Sequence, residues 1–503
     1  MHMESRTKKS KINIFYGILS KIVTLLLEFI SRFVFIKYLG AELLGVNGVF
    51  TNVIQCLSLA ELGMNNVVMF SYYEPLANNN TRKLSALNAF YKKVYNTIAV
   101  SVTMIGLCII PLLKYIINTD YAIPHLYLIY LLFLIDTVVS YLCVYKVTIL
   151  NADQNGYISS QYDIIFNSLR TICQMASLFL LKNFLIYLAI KIIFSALSNI
   201  LKAKKVDKDY EFTQTTECLS TNEKSTIFNT IKSGFIYKIS AVLMNSTDNM
   251  LISSIVGTIW VGLLSNYVTL CTSVASFVVI IFNNLTASIG NLVATESKEK
   301  RLQIFEVMSM MSNWIAFVCF ICTLILCNDF IRLWLGGKYV LEQSIVLPKV
   351  MMLYVSCVMQ PIFSYREALG LYVKTKYVML LSAILNIVLS IIMGIVWGTA
   401  GILIASLISV GVTYFWYEPT VLYKDYFNDT VNKYFRRIMT NIVICFITTV
   451  ILGKVSILFS ANGWITLVIK GFLLFVIVNV ECFFIYGRTD EFKFLLSKIR
   501  REK

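Results

Sequence analysis

The sequence has little charge for its length. Only 14% of its 503 residues are Asp, Glu, Lys or Arg, and 57% are hydrophobic, whereas a soluble domain carries about 25% charged residues. This composition excludes a chain that divides into several soluble domains. What the sequence has instead is a series of fourteen long apolar stretches, from about Asn13 to about Tyr486, with short polar breaks between them.

Residues for catalysis or metal binding are also scarce. The only histidines are His2 and His125, and the twelve cysteines are scattered, so no metal cluster and no Ser/His/Asp arrangement can be assembled. The glycine-rich segment at 335–338 lacks the spacing and the Ser/Thr of a P-loop. The sequence therefore predicts neither an ATPase nor a cofactor enzyme, and we expect no enzymatic activity.

The apolar stretches have the length of membrane-spanning helices. A bilayer core about 30 Å thick is crossed by about 20 helical residues, and only helices or closed barrels satisfy their backbone groups there. The sequence thus predicts an all-α polytopic membrane protein. The predicted spans are 13–36, 44–71, 94–117, 122–145, 160–181, 183–201, 229–256, 263–294, 305–327, 345–369, 376–395, 398–417, 438–453 and 463–486.

The net charge of +16 gives the predicted orientation. If the N-terminus is inside, most of the 44 Lys and Arg residues fall in inside loops, which is the positive-inside bias. Both termini are therefore expected in the cytoplasm. We interpret the basic clusters as solvated, orienting charges rather than a nucleic-acid surface, because no basic face is interleaved with aromatic residues.

The chain also repeats itself. Gly and Lys positions of the first span recur in the seventh at one constant offset, and a Tyr-Lys pair recurs as Tyr-Arg at a slightly larger offset. The matched positions are Gly17, Lys21, Gly40 and Gly45 with Gly234, Lys238, Gly257 and Gly262, and then Tyr145, Lys146 and Tyr157 with Tyr365, Arg366 and Tyr377. Because six spans separate the copies, the repeat is parallel, a known transporter plan.

The repeat predicts the domain organisation. A first six-helix bundle covers 1–207, a cytoplasmic linker covers 208–226, and a second six-helix bundle covers 227–427. Residues 428–503 then hold spans 13 and 14 and a basic cytoplasmic tail.

Charged residues inside the spans are the candidate site. A charge at membrane depth costs at least about 2.5–3.5 kcal/mol on insertion scales, so each is a functional candidate. In the first span, Lys21, Glu28 and Arg32 lie within about 60° on one helical face. Glu28 and Arg32 are four residues apart and can pair. The alternative is that this is a structural ion pair and that Lys21 reaches toward the inner surface.

The seventh span carries the equivalent stripe. Lys238, Asn245 and Asn249 share a face there, with Asp248 beside them. Two such stripes, one from each half, would line a polar seam between the bundles. Further cavity candidates, each with an equally good structural interpretation, are Glu61, Asp136, Arg170, Lys191, Arg366 and Glu367.

Several segments resemble one known family. The segments that show the resemblance are "YLGAELLGVNGVFTNVIQCLSLAELGMNNVVMFSYYEPLA" (38–77), "NSTDNMLISSIVG" (245–257), "FNNLTASIGNLVA" (282–294) and "WYEPTVLYKDYF" (416–427). These resemble bacterial polysaccharide repeat-unit flippases of the O-antigen, capsule and exopolysaccharide type. Those proteins are the oligosaccharide exporters of the multidrug/oligosaccharidyl-lipid/polysaccharide superfamily.

The resemblance implies two six-helix bundles around a central cavity and two further helices. It implies transport by alternating access of an undecaprenyl-diphosphate-linked oligosaccharide from the inner to the outer leaflet of a bacterial plasma (inner) membrane. It also implies membrane-lipid contacts, a coupling ion such as a proton or sodium, and a polysaccharide polymerase as a partner. Lys21, Arg32 and Lys238 match the expected basic cavity residues by type, whereas 245–249 offers Asn and Asp rather than further Arg. Spans 13 and 14 are expected to form a lipid-tail groove, with Lys470 and Glu481 on one helical face.

Three other functions stay open at this point. A multidrug or metabolite exporter of the same superfamily would share the bundles but have a smaller, less basic cavity. A lipid II flippase would differ in its cargo. An envelope polymerase is disfavoured because it normally carries a substantial outside loop, and the longest here is about 328–344.

Overall fold

Helices dominate the described part of the chain. The computed structural model describes residues 2–58, 64–119, 123–213, 215, 217–369, 371–458 and 462–501. The α-helices are α1 (His2–Leu57), α2 (Met64–Ala77), α3 (Thr81–Ile109), α4 (Leu113–Ile116), α5 (Leu126–Ala152), α6 (Gly156–Leu181), α7 (Phe184–Asp209), α8 (Thr221–Leu251), α9 (Thr258–Thr295), α10 (Lys298–Trp334), α11 (Gln343–Val358), α12 (Gln360–Leu369), α13 (Tyr372–Val412), α14 (Tyr414–Leu422), α15 (Asn432–Leu458), α16 (Trp464–Tyr486) and α17 (Asp490–Arg501). Short 3-10 segments (Ile110–Leu112, Glu211–Thr213 and Gly337–Tyr339) and π segments (Ile252–Val256 and Tyr423–Phe427) join some of them.

The helices have the length and apolarity of membrane spans. Among the described residues, nine helical segments can cross a bilayer, and the bent pair α11 and α12 would make a tenth. This confirms the all-α polytopic fold class, while the predicted number of fourteen is approximate. The predicted spans 11 and 12 lie in one continuous segment that is kinked at Gly398. The predicted first, second and seventh spans are not among the nine.

The chain packs as two compact units, Met1–Gly262 and Leu263–Lys503. This division rests on packing, whereas the predicted limits at 207, 226 and 427 rest on the sequence repeat. Those limits remain predictions. In the first unit, α1 lies along α6, α5 packs on α3 and α7, and α8 packs on α1.

Two glycines bend the chain at matching places in the first unit. Gly40 interrupts α1 with a φ of 82°, and Gly257 ends the π segment before α9 with a φ of 135°. Both values lie where a Cβ is disfavoured and glycine is not. The two glycines are matched positions of the sequence repeat, so both copies have a glycine with positive φ at this place.

Close helix packing follows each bend. A Cβ at Gly45 would lie 2.1 Å from the Thr258 backbone oxygen, and one at Gly262 would lie 1.9 Å from the Ala41 backbone oxygen. Thr258 corresponds to Ala41 in the repeat, just as Gly262 corresponds to Gly45, so the two contacts are images of each other. Small residues let the backbones of membrane helices approach this closely.

The expectation that the basic clusters are solvated is wrong at Lys202. It belongs to a basic cluster that we expected to be solvated, yet only 5% of it is exposed, and its ammonium lies 2.6 Å from the carboxylate of Asp163. The sequence shows the charge of Lys202 but does not show its partner, because Asp163 lies on another helix, α6.

The segment between α7 and α8 belongs to the first unit and contacts helices that precede it. Tyr210 donates a hydrogen bond to Asp153 at 2.7 Å, and Ser85 on α3 donates to the Thr215 backbone oxygen at 2.7 Å. At the start of α8, Ser220 and Glu223 form a capping box. The predicted linker is thus fastened at its described residues to the helices that precede it.

In the second unit, α10 contacts α11, α15, α16 and α17. The short helix α17 was predicted only as a basic tail. Its Phe492 ring stacks on Trp314 of α10, with 5.9 Å between ring centroids, and Glu491 pairs with Arg437 of α15. Burial alone would raise the pKa of Glu491, but a backbone N–H at the start of α17 and the Arg437 guanidinium lower it to about 2.

Candidate functional site

The predicted ion pair on the first span forms. Glu28 and Arg32 lie one turn apart on α1, with 3.6 Å between carboxylate and guanidinium. The Arg32 side chain is 16% exposed and that of Glu28 is 44% exposed. Arg32 is therefore the buried member of the pair.

A polar cavity surrounds this pair. It has a volume of about 230 Å³ and lies between α1, α6 and α7 of the first unit. Its lining is formed by Thr24, Leu27, Glu28, Ser31, Arg32, Phe35, Leu44, Asn47, Asn167, Arg170, Thr171, Gln174 and Tyr187. We call it the α1/α6/α7 pocket.

Arg170 brings a second guanidinium into the α1/α6/α7 pocket. Arg170, one of the further cavity candidates from the sequence, lines the same pocket as Arg32. Its Nε is buried and has no hydrogen-bond partner among the described residues. Two permanently charged groups therefore face the single carboxylate of Glu28 in the described lining.

Neighbouring polar groups hold the walls of the pocket. Gln174 on α6 donates a hydrogen bond to the Tyr187 backbone oxygen on α7 at 3.0 Å. The Tyr187 hydroxyl hydrogen-bonds with Ser31 on α1. These contacts tie α1, α6 and α7 together around the two guanidinium groups.

Sequence reasoning missed most of this lining, although a signal was there. Asn167, Arg170, Thr171 and Gln174 recur at intervals of three and four residues, which places them on one face of α6. A polar face on a helix that crosses a membrane indicates contact with protein or water rather than lipid. Tyr187 gave no such signal.

The other predicted site residues of α1 and α8 lie elsewhere. Lys21, Lys238, Asp248 and Asn249 are half-buried and are not part of the described lining of the α1/α6/α7 pocket. The side chain of Asn245 lies outside the described residues, as does Glu61. The role of all these residues in a cavity remains a prediction.

The helices α1 and α8 contact each other. The described hydrogen bonds run through the second half of α1. Asn52 donates to the Ser246 backbone oxygen at 3.1 Å, and the Ser246 hydroxyl donates to Gln55 at 3.2 Å. Polar groups on α8 therefore meet α1 beyond the Gly40 kink.

Asp136 has a partner outside the α1/α6/α7 pocket. It pairs with Lys191 across α5 and α7, with 3.1 Å between the charged groups. The Lys191 ammonium also lies 5.1 Å from the ring centroid of Phe133. This arrangement neutralises two charges within the bundle, which agrees with the structural interpretation of both residues.

Arg366 is likewise paired. Its guanidinium donates to both carboxylate oxygens of Glu418 at 3.1 and 3.0 Å, and only 8% of Arg366 is exposed. Sequence reasoning missed Glu418, because it placed this residue just beyond the twelfth span. In the first unit, Lys146 pairs with Asp207 at 2.7 Å. Lys146 and Arg366 are matched positions of the repeat, so the basic residue at this place in each copy has an acidic partner.

An apolar groove lies between α15 and α16 of the second unit, with a volume of about 260 Å³. Leu452, Val455, Ile469, Leu473, Leu474 and Ile477 line it together with Ser456, Thr466 and Lys470. Lys470 also binds Asp329 of α10 at 2.7 Å. Glu481, predicted beside Lys470, accepts a hydrogen bond from Thr448 and is not in the described lining.

No protein-family model matches the chain, and no curated protein matches it.

Solved structures do match the chain. A structure of the lipid II flippase MurJ in an inward closed conformation has a TM-score of 0.66 at 14% identity, over 95% of this chain and 99% of that one. The Vibrio cholerae MATE transporter VcmN in its bent form has a TM-score of 0.54 at 13% identity, over 84% and 98%. An inward-facing multidrug resistance MATE family transporter of the MOP superfamily has 0.52 at 12%, over 78% and 93%. This chain therefore has the fold of the MOP-superfamily transporters.

Proposed function

We propose that this chain is a flippase for undecaprenyl-diphosphate-linked oligosaccharide repeat units, which it moves from the inner to the outer leaflet of the bacterial plasma membrane. The observation that carries the proposal is the cationic α1/α6/α7 pocket, where Arg32 and Arg170 face Glu28 inside a membrane bundle. Charges at this depth cost about 2.5–3.5 kcal/mol each on insertion scales. An excess of positive charge inside the bundle therefore favours the binding of an anion.

The chemistry of the cargo fits these features. A diphosphate needs concentrated positive charge away from bulk water, and arginine binds two of its oxygens at once. We assign diphosphate binding to Lys21, Arg32 and Lys238, and contacts with the glycan to Asn245, Asp248 and Asn249. The polyprenyl tail is apolar, and the groove between α15 and α16 offers an apolar surface with one lysine.

Translocation then proceeds by alternating access for cell-surface polysaccharide synthesis. Glu28 holds Arg32 in place or carries a coupling proton, and sodium is the other candidate ion. A polysaccharide polymerase receives the flipped unit at the outer leaflet. In this proposal both termini are cytoplasmic, and the chain is a transporter rather than an enzyme.

A lipid II flippase is the second candidate, and the likeness to the MurJ structure over 95% of this chain favours it. Its cargo shares the diphosphate and the polyprenyl tail, so the same cationic residues would serve. A multidrug exporter is favoured by the MATE structures alone, and a pocket with two arginines against one glutamate repels cationic drugs.

The test measures surface polysaccharide in cells whose own copy of the gene is deleted, at equal protein level. We expect Arg32→Ala and Lys238→Ala to abolish export and Arg32→Lys to restore part of it. Arg82→Ala, at a side chain that is 85% exposed, is the matched control and should export normally. Export at the wild-type rate by both Arg32→Ala and Lys238→Ala would refute the cationic site. Rescue of cells depleted of their lipid II flippase would favour the second candidate.

A further inference from the structure

A groove runs along the exposed face of α3 and shares no described lining residue with the α1/α6/α7 pocket. It has a volume of about 470 Å³. Its described lining comes from α3 alone and includes Lys92, Lys93, Asn96, Thr97 and Val100. We call it the α3 groove. None of these residues has a part in the function proposed above.

The side chains on this face change from basic to polar to apolar along the helix. They recur at intervals of three and four residues, and all are exposed: Lys92, Lys93, Asn96, Thr97, Val100 and Met104. Val100 is 64% exposed and Met104 is 60% exposed, in a helical segment that is long and apolar enough to cross a bilayer. Large exposed apolar side chains on such a segment indicate contact with lipid.

The two lysines lie where the polar cover of α3 ends. The segment that follows α7 covers the start of this helix, because Ser85 and Asn88 donate hydrogen bonds to backbone oxygens of that segment at 2.7 and 3.4 Å. Lys92 lies one turn beyond Asn88 and is exposed. The lysines are therefore placed between a polar segment and the lipid-facing turns, which is the level of the lipid headgroups.

The charge of the α3 groove has no counter-charge within its described lining, which contains no Asp or Glu. Arg82 and Lys83, at the start of the same helix, each lie 3.5 Å from a glutamate. Two ammonium groups without a carboxylate attract an anion. They disfavour a zwitterionic headgroup, because its amine or ammonium would lie beside two like charges.

The polar turn after the lysines can also contact a lipid. The Thr97 hydroxyl donates to the Lys93 backbone oxygen at 3.0 Å, so its own oxygen is left to accept a hydrogen bond. The Asn96 amide carries two donors. Helix length fits as well, because the distance from Lys93 to Met104 is about 16 Å at 1.5 Å per residue, close to half of a bilayer core about 30 Å thick.

From these observations we propose that the α3 groove binds an anionic phospholipid of the leaflet at the start of α3. The lysines bind its phosphate, Asn96 and Thr97 contact its glycerol region, and Val100 and Met104 contact its acyl chains. With the orientation predicted from the charges, this is the cytoplasmic leaflet. Anionic lipids there attract basic residues near the membrane surface. The site does not depend on which cargo the chain moves.

The experiment uses the full chain in detergent and measures lipid binding by native mass spectrometry. The probes are dioleoylphosphatidylglycerol and dioleoylphosphatidylcholine. We expect Lys92→Gln/Lys93→Gln to weaken binding of the first phosphatidylglycerol by about tenfold or more, because each lysine near a membrane surface contributes a factor of about five. Binding of phosphatidylcholine should not change. Lys92→Arg/Lys93→Arg keeps both charges and should bind phosphatidylglycerol as the wild type does.

The matched control removes two charges from exposed side chains of α3 and α10. Arg82→Gln/Lys298→Gln should leave the affinity for phosphatidylglycerol unchanged. Equal phosphatidylglycerol affinity in wild type and Lys92→Gln/Lys93→Gln would overturn the proposal. An equal loss in the control, or an equal loss of phosphatidylcholine binding, would overturn it too, because the effect would then be one of net charge or of the fold.

A third lipid tests the other occupant. If undecaprenyl diphosphate displaces phosphatidylglycerol and binds more tightly to wild type but not to Lys92→Gln/Lys93→Gln, the groove holds a lipid-linked diphosphate and the phospholipid assignment is wrong. If Lys92→Gln/Lys93→Gln loses phosphatidylglycerol binding while cells still export glycan, the lipid site is established independently of the proposed function.

Discussion

The close helix contact at Gly45 and Gly262 predicts the sign of a change in stability. Gly45→Ala places a Cβ 2.1 Å from the Thr258 backbone oxygen. Because that oxygen belongs to a helix backbone, no side-chain rotation relieves the overlap. The two helices have to separate by about 1 Å to restore an ordinary contact, and overpacking of this kind typically destabilises by about 1–3 kcal/mol.

An opposing effect must be subtracted. Alanine is a better helix former than glycine by about 1 kcal/mol. Gly17→Ala on the same helix measures that gain alone, because nothing lies within 4 Å of a Cβ there. We therefore expect Gly17→Ala to unfold at or slightly above the wild-type temperature and Gly45→Ala to unfold below it.

The assay is thermal unfolding in detergent, followed by tryptophan fluorescence. A loss of 1 kcal/mol lowers the midpoint by about 2–4 °C for a unit of this size. The double variant Gly45→Ala/Gly262→Ala should lose less than the sum of the two single variants, because one separation of the helices relieves both overlaps. A Gly45→Ala protein as stable as Gly17→Ala, or fully additive losses, would refute the proposed close packing.

Three further outcomes follow from the charges of the described residues. Glu418→Gln removes the carboxylate that accepts two hydrogen bonds from buried Arg366 and leaves the more exposed Glu367 at 3.4 Å as a weaker partner. It should destabilise by up to about 3–5 kcal/mol, whereas Asp425→Asn, which breaks a more exposed pair, should lose under about 1 kcal/mol in the same unfolding assay. The lowered pKa of Glu491 stabilises the docking of α17 fully above the ordinary glutamate pKa of about 4.3, and this stabilisation is lost as pH falls toward about 2. Hydrogen exchange of α17 should therefore be constant from pH 5 to 8 after correction for the intrinsic rate, and an increase within that range would contradict the assignment. A cysteine placed at Glu211 in a cysteine-free chain should react with a membrane-impermeant reagent only in opened cells, and labelling in intact cells would refute the predicted topology.

Much of the fold could be predicted because its signals are local. The length of the apolar stretches gave the polytopic helical class, and the matched glycines at 40 and 257 gave two bends that the structure contains. The pair of Glu28 with Arg32 was predictable because both lie on one helix, where a separation of four residues brings side chains together.

The partners of charges on different helices were not predictable in this way. A helical face shows which residues point in one direction but not which helix they meet. Arg170 and Arg32 line one pocket because α6 packs on α1, and Lys202 is buried because α7 packs on α6. Glu418 is the partner of Arg366 because α14 packs on α12, and the sequence does not show this contact. The sequence therefore predicted the part of the candidate site that lies on α1. It did not predict that α6 and α7 form the other walls of the pocket.

The position of α8 shows how repeat and packing can divide one chain differently. By sequence, α8 opens the second copy of the repeat, yet it packs within the first unit. At its start it follows a segment held by Ser85, and at its end Ser253 donates a hydrogen bond to the Ile116 backbone oxygen at 2.7 Å. Because α8 is anchored at both ends to the first unit, Lys238 keeps a defined position relative to α1. A cationic residue of the second repeat copy therefore belongs to the same packed unit as Arg32, as the proposed binding of one anionic cargo by both charges requires.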